Sequence, residues 1–225
     1  MDPVRLDLHV HSRYSPDSSL PVEAIASRLT AVGLNGFALT DHNTVAGHAE
    51  LSTLSAKYPG FVFVPGVEVS TREGHLLAYG VTEAPPSQRP VEETIDWVRG
   101  HGGVPVLSHP FRFSHGVGRS VAESVQGVAV ETVNGHNSRG ANRKAAALAN
   151  RRKLAVTGGS DVHDPSDLGR AYTEFPDGTM TTEAVLQALR EGRTNAGGQS
   201  LTVSGRVRYE WRTTVLRLRR GFRPI

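Results

Sequence analysis

The sequence predicts an α/β fold with a mainly parallel sheet. Short apolar runs of strand length alternate with helical stretches along the chain, which is the order that parallel sheets require. Strand after strand also ends in a side chain that can bind a metal, as expected where the carboxyl ends of parallel strands share one edge. Because no internal repeat is visible, we expect one domain over residues 1–200, followed by a basic extension over 201–225.

The order of the elements follows from the spacing of the apolar residues. Alternation of apolar and polar residues predicts a first strand over 4–10, and an apolar stripe over 22–32 predicts a helix that Gly33 ends. Further strands are predicted at 36–40, 61–64, 66–69, 75–79, 104–107, 128–133, 154–157 and 171–175. Further helices are predicted at about 45–57, from Pro90 onward, and at about 140–152 and 182–191. Pro65 is expected to break a strand, and 111–119 is expected to form a loop.

The composition is that of an ordinary globular protein and excludes several classes. Charged residues make up 21% and hydrophobic residues 38% of the chain, and no apolar run reaches the ~18 residues of a membrane span. No apolar secretory leader is visible, so a cytoplasmic location is expected. The absence of cysteine excludes both a disulfide framework and a thiolate metal site.

Positive charge is concentrated in the last twenty residues, although the net charge is only +3. The arginines there are Arg206, Arg208, Arg212, Arg217, Arg219, Arg220 and Arg223. Such a segment either binds nucleic acid or another anionic surface, or is a solvated terminus. Its apolar residues Trp211, Val215, Leu216 and Leu218 favour packing on the rest of the protein.

Metal-binding side chains recur at the ends of the predicted strands. His9 and His11 are two residues apart on the first strand, so their imidazoles point to the same side and form a pair of potential ligands. Later strands end in His42, Glu68, His109, and then Asp161 with His163. A carboxylate such as Glu68 has two oxygens and can bridge two ions. Nitrogen and oxygen ligands without sulfur suit zinc, manganese or iron.

Taken together, these residues resemble the motifs of the PHP (polymerase and histidinol phosphatase) family of metal-dependent phosphoesterases. The motifs are His9-x-His11, Asp17, Thr40-Asp41-His42, Gly66-x-Glu68, Gly74-His75-Leu76, Ser108-His109-Pro110 and Asp161-x-His163. The resemblance implies a distorted (β/α)7 barrel that carries two to three divalent metal ions in its rim. It also implies that His9, His11, Glu68 and Asp161 hold the first ion. The second would be held by Glu68, His75 and His109, and the third by Asp17, His42 and His163.

The expected chemistry is hydrolysis of a phosphate ester by a metal-bound hydroxide, because divalent ions neutralise phosphoryl oxygens and lower the pKa of bound water. Glu68, Asp161 and His163 would act in catalysis by holding these ions. Arg112 is placed to fork onto a phosphate, and Asn134 and Arg139 are further candidates for binding substrate. Weaker candidates are Arg143, His115 and His136. Asp41 either orients an imidazole or caps a helix.

Three functions are compatible with this sequence. The first is hydrolysis of a small phosphate ester, such as a nucleotide or a sugar or histidinol-type phosphate. The second is a nuclease or phosphodiesterase that acts on DNA or RNA, which the basic extension favours. The third is a non-catalytic metal-binding module, against which the near-complete set of ligands argues. A small phosphorylated substrate is therefore the expected partner, ahead of nucleic acid, and no membrane partner is expected.

Overall fold

A computed structural model describes residues 3–161 and 164–200, together with Trp211, Thr214, Val215 and Leu218. The strands are β1 (Val4–Val10), β2 (Gly36–Leu39), β3 (Val62–Ser70), β4 (His75–Tyr79), β5 (Val104–Leu107), β6 (Ala129–Asn134), β7 (Val156–Gly159), β8 (Ala171–Phe175) and β9 (Asn195–Gly198). The α-helices are α1 (Val22–Ala31), α2 (His48–Lys57), α3 (Val91–Gly100), α4 (Gly118–Ser124), α5 (Arg139–Arg152) and α6 (Thr182–Arg190).

The strands form one sheet in the order β7-β6-β5-β4-β3-β2-β1-β8-β9, which curls into a nearly closed barrel. Its two sides meet where the Asp161 backbone N–H donates to the His9 carbonyl over 2.7 Å. Close to this contact, the Gly158 N–H donates to Thr173 Oγ1 on β8 over 2.8 Å. The predicted α/β barrel is therefore confirmed.

The sheet is more mixed than its prediction as mainly parallel suggests. In the described part of the chain, the pairs β1–β2, β2–β3, β5–β6 and β6–β7 are parallel. The pairs β3–β4, β4–β5, β1–β8 and β8–β9 are antiparallel. The direction of β4 follows from the length of its connection: β3 and β4 are joined by a tight turn over 71–74, which is too short for the crossover that a parallel pair needs.

Three apolar clusters hold the barrel together. Inside the barrel, Leu6, Leu8 and Tyr79 pack with residues of α6, which closes the end where the parallel strands begin. A second cluster packs α3 and α5 against the outside of β4 to β6, and a third packs α1 and α2 against β1 to β3. Burial of these apolar side chains is the main stabilising contribution to the fold.

Several element predictions are corrected by the structure. β3 runs without a break through Pro65, because Pro65 needs only its carbonyl there, which accepts from the Gly80 N–H over 2.8 Å. The short helix α4 begins within the expected loop, and β9 had not been predicted. Pro90 is the N-cap of α3 and not its first helical residue.

Within the described residues, no helix is both long and apolar enough to cross a membrane. Of the extension over 201–225 only four residues are described, and among them the side chains of Trp211 and Leu218 are exposed. Leu216 and all the arginines of this segment lie outside the described residues. Packing of the extension on the barrel therefore stays a prediction.

Candidate metal centre at the rim of the barrel

The predicted ligands that the structure describes converge at one end of the barrel, where the parallel strands terminate. We call this end the rim. All of them are buried, with no more than 7% of any residue exposed: His9, His11, Asp17, His42, Glu68, His75, His109 and Asp161. His75 begins β4, which runs antiparallel to its neighbours, so its first residue lies at the same end. His163 lies outside the described residues.

An irregularity in β1 helps to place the histidine pair. The register of β1 against β2 shifts between Asp7 and Val10. Leu8 packs in the core of the barrel, whereas Val10 packs in the outer cluster against α1. Such bulges re-aim side chains and are frequent beside functional sites. The rings of His9 and His11 consequently lie together, with their Nε2 atoms 3.1 Å apart.

Glu68 is the centre of the cluster. Its Oε1 accepts from Ser108 Oγ over 2.8 Å and lies 3.0 Å from His109 Nε2 and 3.1 Å from His75 Nδ1. Its Oε2 lies 3.2–3.3 Å from a ring nitrogen in each of His9, His11 and His42. Both oxygens of one buried carboxylate therefore face imidazoles from several strands.

The spacing of these atoms fits a bound ion. Atoms that bind one ion at about 2.0–2.2 Å are separated from each other by roughly 3.0–3.6 Å. Nε2 of His9 and of His11 each lie 3.2 Å from Glu68 Oε2 and 3.5 Å from Asp161 Oδ1. Two further groups have ligand atoms within 4.8 Å of one another, namely His11, Asp17 and His42, and His42, Glu68 and His75. In addition, His75 Nε2 and His109 Nδ1 are buried without a hydrogen-bond partner.

The electrostatics of the rim favour a cation. Burial alone would raise the pKa of Glu68, but the neighbouring imidazoles, His9 first among them, outweigh it and hold that pKa well below its usual range. Burial alone would likewise raise the pKa of Asp161, but the Arg112 guanidinium and His9 outweigh it and hold that pKa well below its usual range. Both carboxylates are therefore ionised.

The histidines fall into two groups. Burial lowers the pKa of His75, and burial together with Arg112 lowers the pKa of His109 to about 3, so both are neutral and offer a lone pair. Burial also disfavours the charged form of His11, but Asp161 and Glu68 outweigh it and raise its pKa to about 10. Protons held in this way are those that a bound cation displaces.

Backbone geometry is unusual at two of the predicted ligands. His109 and Asp161 have φ angles of +29° and +53°, although neither is glycine. Gly159 lies so close to β1 that a Cβ atom there would come within 2.3 Å of the His9 Cβ. The close backbone approach that glycine permits is therefore used at this point.

The proposed substrate residues divide into two sets. Arg112 Nη2 donates to Asp161 Oδ2 and, over 2.7 Å, to Asn134 Oδ1. Asn134 Nδ2 also donates to Asp161 Oδ2 over 3.0 Å, so Arg112 and Asn134 both belong to the cluster. Arg139 is exposed in the first turn of α5, away from these contacts.

The weaker candidates are spread more widely. The His115 ring stacks on His75 with centroids 4.7 Å apart, and His136 is buried just after β6. Arg143 is exposed on α5. Asp41 accepts from the N–H and hydroxyl of Ser12 over 2.6 and 2.7 Å, and the N-cap of α2 is Gly47, so neither role expected for Asp41 is observed.

Two polar residues of the site were missed in the sequence. Glu131 is fully buried on β6, and its Oε1 lies 2.9 Å from His9 Nδ1. A glutamate within the apolar run of that strand was the available signal. Ser15 donates to Asp17 Oδ1 over 2.7 Å and accepts from the His42 N–H over 3.3 Å. Nothing in the spacing of Ser15 distinguishes it from an ordinary loop serine.

Comparison with known proteins agrees with this geometry. The family profile described as "PHP domain" matches residues 7–101, and the profile described as "PHP-associated" matches residues 139–194. An uncharacterised protein of Methanocaldococcus jannaschii is 30% identical over 76% of this chain and 70% of its own length. A 3',5'-nucleoside bisphosphate phosphatase of Chromobacterium violaceum is 24% identical over 73% of this chain and 89% of its own length.

Two further similarities are limited, the first in the length that it covers and the second in sequence identity. A 5'-3' exoribonuclease of Haemophilus influenzae is 42% identical, but over only 30% of this chain and 24% of its own length. The crystal structure of PsfC from Pseudomonas syringae has a TM-score of 0.70 at 19% identity and covers 97% of this chain and 99% of its own, which shows a shared fold. With both family profiles matched in order and the motif residues gathered at one rim, the chain belongs to the PHP family of phosphoesterases.

Proposed function

We propose that this protein hydrolyses a small phosphate ester, with two to three divalent ions held at the rim. The observation that carries the proposal is the buried Glu68 carboxylate, whose two oxygens face ring nitrogens from several strands at 3.0–3.3 Å. A cluster built only to stabilise a fold would gain little from so many buried charges, because desolvation opposes each of them.

We assign three sets of ligands, of which the first coincides with a group whose atoms the structure brings together, whereas the other two follow the family motifs. His9, His11, Glu68 and Asp161 would hold one ion, since their atoms have the spacing of a single coordination shell. Glu68, His75 and His109 would hold a second, and Asp17 and His42 a third, completed by His163. Zinc, manganese and iron suit this set of nitrogen and oxygen donors.

Ions bound there would supply charge neutralisation and a coordinated water of lowered pKa. The residues of the chain provide the rest. Asp161 turns Oδ1 toward His9 and His11, while its Oδ2 accepts from Arg112 and Asn134. Arg112 therefore lies beside the ion site, where its guanidinium can hold a phosphate oxygen and position the ester.

The substrate class is supported by the relative that matches over most of its length. That relative is named for a nucleoside bisphosphate, which favours a nucleotide or another compact ester. The exoribonuclease similarity, which spans a quarter of that protein at most, supports a nuclease less strongly. A cytoplasmic location stays a prediction.

Hydrolysis of a mononucleotide and of a labelled single strand across a salt series tests the proposal. The protein is first supplied with manganese, zinc and iron in turn. We expect turnover of the mononucleotide with a shallow dependence on salt, because one bound phosphate releases few counterions. Cleavage of the strand alone, falling steeply with salt, would make the protein a nuclease. Absence of turnover of either substrate by protein with ions bound would favour a non-catalytic module.

A further inference from the structure

Glu131 makes three contacts at the rim that tie separate strands together. It lies on β6 and is fully buried. Oε1 lies 2.9 Å from His9 Nδ1 on β1. Oε2 accepts from the backbone N–H of His109, just after β5, over 2.8 Å and from Asn134 Nδ2 over 2.9 Å. The groups of described residues able to surround an ion do not include Glu131.

The contact with His9 determines which ring nitrogen carries a proton. A carboxylate only accepts hydrogen bonds, so Nδ1 must be the donor. In a neutral imidazole Nε2 then holds the lone pair, and this atom lies 3.1 Å from His11 Nε2, 3.2 Å from Glu68 Oε2 and 3.5 Å from Asp161 Oδ1. The opposite tautomer would put a hydrogen in the middle of that group.

We propose that Glu131 is a positioning residue that fixes the ring and tautomer of His9 and thereby sets the affinity of the His9, His11, Glu68 and Asp161 group for its ion. This inference rests on the metal site of the proposed function. A group that orients a ligating histidine typically contributes 10- to 100-fold in metal affinity. The contact of Oε2 with the His109 N–H extends the same restraint to a second strand end.

Glu131→Gln is a sharp test because the side chain keeps its shape. If the amide oxygen faces His9, the NH2 group meets the two donors on His109 and Asn134. If the amide is reversed, those two bonds survive, but the NH2 group faces His9 Nδ1 and forces the proton onto Nε2. Since the second orientation preserves two hydrogen bonds and the first only one, we expect the tautomer of His9 to reverse.

The measurement is calorimetric titration of the metal-stripped protein with Mn2+, on the wild type and the variant. We expect Glu131→Gln to weaken one class of sites about 10- to 100-fold and excess Mn2+ to restore much of the lost hydrolysis. Glu174→Gln is the matched control, since Glu174 is a strand glutamate that pairs with Arg5 at the surface. Its affinity for Mn2+ should equal that of the wild type. An unchanged affinity in Glu131→Gln would overturn the proposal, and a lowered melting temperature with normal affinity would show a structural role only.

A second measurement needs no variant and so does not depend on how Glu131→Gln folds. Nitrogen-15 NMR of the histidines in zinc-loaded wild type should show His9 with its proton on Nδ1 and the ion on Nε2. An ion on Nδ1 would refute the inference. Wild type that binds neither Mn2+ nor Zn2+ would refute the proposed function itself, whereas wild type that binds ions and turns over substrate leaves that function standing whatever Glu131→Gln shows.

Discussion

The two ends of the barrel use charge in opposite ways. At the rim, carboxylates and imidazoles are buried and face one another at about 3 Å, as with Glu68 and His109. At the other end, which we call the floor, Arg99, Lys153 and Arg190 are exposed and line a cavity of about 520 Å3. Arg190 donates to the Gly102 carbonyl over 2.7 Å. The floor therefore has the volume of a binding site, but its charges lie in water.

The two ends also differ in which residues take positive φ angles. At the floor, the turns from helix to strand take positive φ angles at glycine, as expected for the left-handed region: Gly33, Gly60, Gly102, Gly127 and Gly192. Lys153, at the end of α5, is the exception among the described turns there. At the rim, positive φ angles are found at His109 and Asp161, which are both predicted ligands.

This contrast separates an end with buried, facing charges from an end whose charges are solvated. The floor cations follow or end helices, where positive charge stabilises the helix dipole by a few tenths of a kcal/mol. The rim concentrates buried charge and backbone strain, which persist only where the surroundings impose them. Active sites of parallel barrels lie at the carboxyl ends of the strands for the same reason of geometry. The floor cavity is consequently not a candidate active site, despite its size.

The largest effect is expected at the centre of the rim. Glu68→Gln should lower hydrolysis on the order of a thousandfold and reduce the bound metal, because it removes a charge that faces five imidazoles. Turnover and elemental analysis of protein purified without chelator measure both effects. Wild type should contain more than one transition metal per chain.

The single terminal histidines provide the comparison for Glu68→Gln. His75→Ala should retain more metal than Glu68→Gln, since His75 faces one oxygen of that carboxylate and not both. Circular dichroism should show both variants folded. If Glu68→Gln kept its metal and its turnover, Glu68 would not be a metal ligand, and the proposed role of the rim would be wrong.

The next effect concerns Arg112. We expect Arg112→Ala to lower kcat/KM for a mononucleotide about 10- to 100-fold, because the guanidinium positions both the phosphate and Asp161. Arg112→Lys should not restore it, since one ammonium cannot replace a fork. Metal content separates the two roles: a loss of activity with full metal indicates phosphate binding, and a loss of both indicates an effect through Asp161. Unchanged turnover would remove Arg112 from the site.

Much of the rim could be predicted because its signal is local. His9 and His11 show a period of two, and Asp161 ends an apolar run, so their positions near strand ends predict that they share one edge of the sheet. The orientation of β4 and β8 could not be predicted, because it depends on the path of the connections and not on the strand residues. The strand break predicted at Pro65 was wrong because the pairing of Pro65 in β3 requires no N–H.

The contacts of Glu131 with His9 and of Arg112 with Asp161 also could not be predicted from the sequence. They join residues 122 and 49 positions apart, and no local spacing encodes which polar groups a closed barrel brings together. The positive φ angle of His109 could not be predicted for the same reason, because the carboxylate that accepts from its N–H belongs to Glu131, which lies 22 positions away.

A smaller effect is expected at the floor. Lys153→Gly should stabilise the protein by roughly 0.5–1 kcal/mol, since glycine relieves the left-handed conformation at the end of α5 while one favourable charge is lost. Hydrolysis and metal content should not change. Asp161→Gly is the counterpart at the rim: it relieves a similar φ angle but removes a carboxylate, so its activity should collapse. Thermal melts and turnover of both variants are the measurement, and a loss of activity in Lys153→Gly would contradict the comparison.

The smallest effect distinguishes a structural histidine from those of the rim. His48 begins α2 and donates from Nε2 to the Gly66 carbonyl over 2.9 Å, and burial lowers its pKa below the ordinary 6.5. Because the folded state then disfavours the charged form, the contribution of His48 to stability is complete above about pH 6.5 and is lost as the pH falls through the lowered value. His48→Gln keeps a donor for Gly66 but does not titrate. It should therefore match the wild type at pH 7.5 in stability, turnover and metal content, and lose less stability than the wild type in acid. Urea unfolding at several pH values measures this, with both proteins loaded with the same metal. Equal losses of stability in the two proteins would show that His48 does not contribute to the acid sensitivity. Loss of metal from His48→Gln at pH 7.5 would show that His48 belongs to the metal site.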